Sequence, residues 1–115
     1  MHLTPETMAA MYELVRTLPP FSKWGLPEAD EVEFHISGFR DKHGDYSKDP
    51  HTIRLSRHST AHLNTALEVM AHETLHMAQA ILRIAPKHEG HDAWFREKWV
   101  HIAKDYGWDA KKFLL

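Results

Sequence analysis

Hydrophobic residues recur at helical spacing in three stretches of the chain. The first opens with Thr4 as N-cap and Pro5 at the first helical position. The second carries one broad apolar stripe and must stop before Pro86, and the third reaches Gly107. This pattern predicts helices at about residues 4–18, 60–84 and 91–106.

Two shorter stretches instead alternate hydrophobic and polar residues. Val32, Phe34 and Ile36 alternate with polar neighbours, and Ile53 and Leu55 do the same further along. A period of two is typical of half-buried strands, here at about residues 31–39 and 51–56. The turn-rich segment between them favours an antiparallel pair. We therefore expect one α+β domain, residues 1–115, in which about three helices pack on a small antiparallel sheet.

Composition supports this single folded domain. The chain has 115 residues, of which 43% are hydrophobic and 26% charged, as in ordinary globular domains. It contains no apolar run long enough to span a bilayer, and its first residues lack the pattern of a secretory signal. We expect a cytoplasmic protein that does not enter a membrane and is a monomer.

Charge and cysteine usage narrow the chemistry. The formal net charge of −2 gives no general attraction to nucleic acid. The net charge therefore does not favour DNA as a partner. A group of basic residues in the middle third nevertheless leaves DNA binding open: Arg40, Lys42, Lys48, Arg54 and Arg57. The absence of cysteine leaves histidine and carboxylate as the transition-metal ligands.

The segment HETLH, within the second predicted helix, has the spacing of a metal site. His72 and His76 are four residues apart, so they lie about 40° apart on one helix face. In an H-E-x-x-H arrangement, two neutral imidazoles hold zinc and the glutamate takes a proton from the bound water. A buried apolar stripe also has little reason to accept two imidazoles without a polar partner. We therefore expect Glu73 to be a general base beside zinc.

A catalytic zinc needs a third protein ligand, and several residues further along could supply it. The longer H-E-x-x-H-x-x-G-x-x-H form is excluded, because Gln79 and Leu82 occupy the glycine and histidine positions. His91 starts the third helix on rigid backbone, which favours it, while a site completed by Glu97 stays open. The candidates are His88, Glu89, His91 and Glu97.

Three segments resemble the SprT-like zinc metalloprotease domain. They are IRLS at residues 53–56, HETLH at residues 72–76 and EGHDAWF at residues 89–95, and the similarity covers about residues 32–107. The resemblance implies a zincin-like fold that binds one zinc ion and hydrolyses peptide bonds in a protein or peptide substrate. It implies that Glu73 is the general base, Phe95 is a packing residue, and the zinc ligands are His72, His76 and His91.

Other residues have less certain roles at such a site. Tyr46, His88 and Tyr106 are candidates for stabilising the oxyanion. Glu68 and Asp92 could accept an N–H from a ligand imidazole, and Trp94 could form a wall of the cleft. The alternative function is a non-catalytic zinc-binding protein that binds a partner or DNA.

Overall fold

The computed structural model describes residues 2–82 and 91–113, which form a single α+β domain. Three helices and three strands make up its regular structure, so the predicted number of helices is confirmed. Within the described residues, no helix is long and apolar enough to cross a bilayer. The elements are α1 (Pro5–Thr17), β1 (Glu33–Ser37), β2 (Gly44–Ser47), β3 (Thr52–Ser56), α2 (Leu63–Ile81) and α3 (Ala93–Tyr106).

The ends of α1 and α3 follow from local capping. Thr4 and Thr7 form a reciprocal capping box at the start of α1. At the start of α3, the Asp92 carboxylate accepts a hydrogen bond of 2.9 Å from the Phe95 backbone N–H. Gly107 ends that helix in the left-handed conformation, with φ of 76°. Both helices therefore lie close to their predicted bounds.

Helix α2 begins later than predicted, at Leu63 instead of about residue 60. The Thr60 hydroxyl donates a hydrogen bond to the Ser56 carbonyl, so it closes a turn and does not cap the helix. His62 occupies the N-cap position and makes no capping hydrogen bond through its side chain. The predicted end, at residues 83 and 84, lies outside the described residues.

The prediction of an antiparallel pair between β1 and β3 is wrong. These strands are parallel, with Phe34 opposite Ile53. The segment that we expected to be only a turn-rich connection contains β2, which pairs antiparallel with β3. The sheet order is β1-β3-β2, so β3 inserts between two strands that are neighbours in sequence. Residues 38–43 can make this connection because they need only cross two strand spacings, about 10 Å in total.

Helix α2 lies at the centre of the domain. It packs against α1, α3, β2 and β3, and Met70 and Leu75 are completely buried. On the sheet, Phe34 faces the helices and His35 faces solvent, as predicted. Ile36, expected to point inward, is instead one of the exposed large hydrophobic residues. Helices α1 and α2 thus cover one face of the sheet, while α3 packs against α2.

Strand β2 approaches α2 closely because residue 44 is a glycine. A Cβ atom at Gly44 would lie 2.6 Å from the Arg54 carbonyl oxygen and 3.1 Å from a Val69 methyl group. The first of these is a backbone atom that cannot move aside without displacing β3. A side chain at this position would therefore push β2 away from both the sheet and α2.

We predict that Gly44→Ala lowers the free energy of unfolding by about 1–3 kcal/mol, as expected for overpacking. Urea unfolding measures this. Gly38→Ala is the matched control, since its Cβ would meet only the flexible end of the Arg57 side chain, at 3.6 Å. Equal stability in the two variants would contradict the proposed close approach.

Candidate metal centre

Three of the predicted site residues meet between α2 and the start of α3. His72 and His76 lie on α2, and His91 lies just before the α3 N-cap. One ring nitrogen from each lies within 4.8 Å of the others. Two nitrogens bound to one tetrahedral zinc would be about 3.3 Å apart, so a modest movement of the rings would be enough. These three residues, the histidine cluster, could hold a metal ion.

The structure does not bring the alternative third ligand Glu97 to the histidine cluster. Its side chain is 64% exposed and lies 4.0 Å from the Lys98 ammonium group. The other two candidates, His88 and Glu89, lie outside the described residues. Among the residues that the structure describes, His91 is therefore the candidate that joins the two histidines of α2.

Aromatic residues of α3 hold the three imidazole rings in place. Phe95 stacks on His76 at 4.1 Å between ring centroids and on His91 at 4.9 Å. It meets the edge of the His72 ring at 5.0 Å, and Trp99 packs against the same ring at the same distance. Phe95 and Trp99 are fully buried. The interpretation of Phe95 as a packing residue is therefore confirmed, and it packs against all three histidines.

Two imidazoles of the cluster have a hydrogen-bond acceptor beside one ring nitrogen. Nε2 of His72 is 3.1 Å from the Phe113 carbonyl oxygen, and Nδ1 of His76 is 3.3 Å from Oε1 of Gln79. Each oxygen can only accept, so the facing nitrogen donates and the other ring nitrogen keeps its lone pair for a metal. Metal-bound histidines have this second hydrogen bond.

The oxygens that face His72 and His76 do not belong to Glu68 or Asp92, the two acceptors expected from the sequence. The Asp92 carboxylate caps α3, while Glu68 is buried and lies 4.0 Å from Lys112, not beside a ligand imidazole. From the sequence, Gln79 was noted only as the residue at the glycine position of the longer zinc motif, and no hydrogen bond to His76 was predicted. Its spacing of three residues from His76 on a helix was the signal that could have identified it.

Burial sets the protonation of the residues on α2. Desolvation lowers the pKa of His72 to about 4 and that of His76 to about 4, so both rings are neutral at neutral pH and able to bind a metal. Desolvation likewise raises the pKa of Glu73 to about 7. One carboxylate oxygen of Glu73 lies 3.5 Å from Nδ1 of His72. A proton acceptor that titrates near neutrality thus lies beside the nitrogen available to a metal.

The histidine cluster opens into a cavity of about 500 Å³. One wall is formed by residues 41–46, which include the first three residues of strand β2, and α2 forms another. The third wall contains Lys112 and Phe113, from a short 3-10 turn at Ala110–Phe113 that follows α3. Lys112, Phe113 and His43 were not among the predicted site residues, because neither β2 nor this turn is evident from the sequence pattern.

Of the residues proposed for oxyanion stabilisation, Tyr46 lies at the cavity and Tyr106 does not. Tyr46 lines the cavity, with its hydroxyl 2.6 Å from Nδ1 of His51. The Tyr106 hydroxyl instead donates to the Pro19 carbonyl, away from the cavity, and His88 lies outside the described residues. Trp94, considered as a cleft wall, packs against Trp24 at 5.6 Å and does not line this cavity.

Comparison of the chain with protein-family models, curated proteins and solved structures finds no match. No family is therefore assigned by similarity. The features that bear on function are the geometry of the histidine cluster, the buried carboxylate of Glu73 and the cavity beside them.

We predict that the metal-free protein becomes less stable as pH falls from about 6.5 towards 4. His72 and His76 have lowered pKa values, so the unfolded chain takes up protons in this range while the folded chain does not. The two histidines therefore stabilise the folded chain fully above about pH 6.5, and this stabilisation is lost as pH falls towards 4. Glu73 has a raised pKa, so it stabilises the folded chain at lower pH, and this stabilisation is lost as pH rises through about 7. It therefore partly offsets the pH dependence that the two histidines cause.

Urea unfolding of the metal-free chain at about pH 7 and about pH 5 measures this change. His76→Asn removes one of the two titrating rings, so the difference in unfolding free energy between the two pH values should shrink. An undiminished difference in the variant would contradict the assignment of buried neutral rings.

Proposed function

We propose that this protein is a zinc-dependent endopeptidase in which Glu73 is the general base. The observation that carries the proposal is the position of the Glu73 carboxylate. It is buried, its pKa is raised to about 7, and it lies beside a group of three imidazoles that faces an open cavity. A structural metal site would have no use for a proton acceptor at this place.

The donor set fits a catalytic zinc site. Three imidazoles would hold the ion and leave a fourth position facing the cavity, as catalytic sites require. When bound, zinc would supply a Lewis acid that acidifies water and polarises a peptide carbonyl. The Phe113 carbonyl and the Gln79 side chain would keep His72 and His76 in the required orientation. The same three nitrogen donors would also bind cobalt. Zinc is proposed because it is the more available of the two ions.

Glu73 would move the proton during peptide hydrolysis. Its carboxylate, held beside the histidine cluster, would accept a proton from water and then release it to the leaving amine. Burial excludes competing hydrogen bonds from bulk water, since only 5% of the residue is exposed. The position of Glu73 on α2, next to His72, keeps the carboxylate at a constant distance from the cluster.

An extended peptide is the substrate shape that the cavity favours. Strand β2 borders the cavity and is an edge strand of the sheet. Among the described residues, no strand pairs with its outer side, so its backbone groups there could pair with a peptide. A peptide aligned on Gly44 and Asp45 would run past the histidine cluster.

The SprT-like, zincin-like assignment is part of the same proposal. The IRLS segment lies on the central strand β3, the HETLH segment on α2, and His91 directly before α3. This order of strand, helix and third ligand supports the resemblance. Lys42 and Arg54 both hydrogen-bond to Asp45, so part of the basic group that left DNA binding open is paired within the protein.

We predict that Glu73→Gln reduces proteolysis at least about a hundredfold while zinc binding persists, because only the proton acceptor is removed. The assay follows the release of fluorescent peptides from labelled casein by the zinc-loaded protein, with and without single-stranded DNA. Zinc content is measured on the same samples. Glu97→Gln, an exposed glutamate on α3, is the control and should cleave at the wild-type rate.

Two outcomes would contradict the proposal. Cleavage by Glu73→Gln at the wild-type rate would remove Glu73 as the base. A zinc-loaded wild type that hydrolyses no protein in either condition would instead favour a non-catalytic zinc-binding protein.

A further inference from the structure

The 3-10 turn at Ala110–Phe113 packs against the histidine cluster and α3. The indole N–H of Trp99 donates to the Ala110 carbonyl at 3.2 Å, and the Phe113 carbonyl accepts from His72. The Phe113 ring is buried and packs against the His43 ring at 5.0 Å between centroids. Lys112 lies between these two anchors, so its backbone is fixed at the edge of the cavity that it lines.

The ammonium group of Lys112 has a weak partner in the protein. Among the described residues, the carboxylate paired with it is that of Glu68, whose Oε2 is 4.0 Å away, too far for a hydrogen bond. This oxygen accepts no hydrogen bond from any described residue, and burial raises the pKa of Glu68. The Lys112 side chain is 44% exposed. It therefore has a positive charge and three N–H donors that Glu68 does not satisfy.

The other charged residues of the cavity do not offer a second such cation. Lys42, on the cavity wall, donates to Asp45 at 2.9 Å. Asp41, also on the cavity wall, is acidic and would repel an anion at its own position. Among the described cavity-lining cations, Lys112 is therefore the one without a hydrogen-bonded carboxylate.

We propose that Lys112 binds a carboxylate of the substrate close to the bond that is cleaved. This inference rests on the proposed protease function and adds a substrate class: peptides with an acidic side chain, or a free C-terminal carboxylate, beside the scissile bond. The ammonium group would replace its contact with water by a charge-assisted hydrogen bond to that carboxylate. Substrates with an amide at the same position would leave the donors of Lys112 without this partner.

The test compares cleavage of matched quenched peptides by the zinc-loaded protein. Glu and Gln are exchanged at each of the two positions flanking the cleaved bond, and a second series exchanges a C-terminal acid for a C-terminal amide. A preference for one series identifies the source of the carboxylate. For a partly exposed ion pair we expect a preference in kcat/KM of about two- to fivefold.

Lys112→Met keeps the unbranched side chain as far as the ε position and removes the charged group, so the preference should fall to about onefold. Lys111→Met is the matched control. It changes an exposed lysine of the same turn that does not line the cavity, and it should keep the wild-type preference. A wild type that cleaves both members of every pair equally, or a preference that persists in Lys112→Met, would overturn the inference and leave the protease proposal intact.

A second measurement separates the two proposals. Peptidyl hydroxamates carrying Glu or Gln bind a zinc site without being cleaved, and calorimetry measures their affinity for the zinc-loaded protein. Tighter binding of the Glu compound, lost in Lys112→Met, would support carboxylate recognition even if no peptide were hydrolysed. Equal binding of both compounds, or no binding of either, would overturn it.

Discussion

The structure depends on the burial of the His72 imidazole and the Glu73 carboxylate in the middle of a core helix, with His76 half-buried beside them. His72 and Glu73 are about as buried as the apolar residues around them, and burial of unpaired polar groups is costly. The surrounding structure lowers this cost by hydrogen bonds to the Phe113 carbonyl and Gln79. The other ring nitrogens of His72 and His76 could bind a metal ion together with His91.

The rest of the fold can be understood as support for this buried group. Helix α3 supplies Phe95 and Trp99, whose rings fix the planes of the imidazoles. Gly44 lets β2 approach α2 closely enough to form one wall of the cavity. The turn that follows α3 forms another wall and contributes the Phe113 carbonyl. The site therefore uses residues from four separate parts of the chain: α2, α3, β2 and the turn after α3.

The local parts of this arrangement could be predicted from the sequence. His72, Glu73 and His76 lie on one helix, so their spacing alone places them together, and the caps of α1 and α3 were readable from Thr4 and Gly107. The choice of His91 over Glu97 needed the resemblance as well, because residues on either side of a chain reversal have no fixed spacing.

The non-local parts could not be predicted. Strand β2 has the sequence GDYS, and glycine and aspartate are poor strand formers. It is a strand because β3 and α2 pack against it and because Asp45 lies opposite Arg54. Missing β2 also hid the parallel pairing of β1 with β3. Lys112 and Phe113 reach the site only through the path of the chain after Gly107, which leaves no periodic signal.

The most direct test of the central claim is a zinc titration of wild type beside His91→Ala and Glu97→Ala. The account predicts one tightly bound zinc ion per wild-type chain, retained affinity in Glu97→Ala and a loss of at least about a hundredfold in His91→Ala, as expected when one of three ligands is removed. Unchanged affinity in His91→Ala, or no zinc bound by the wild type, would contradict the three-histidine site.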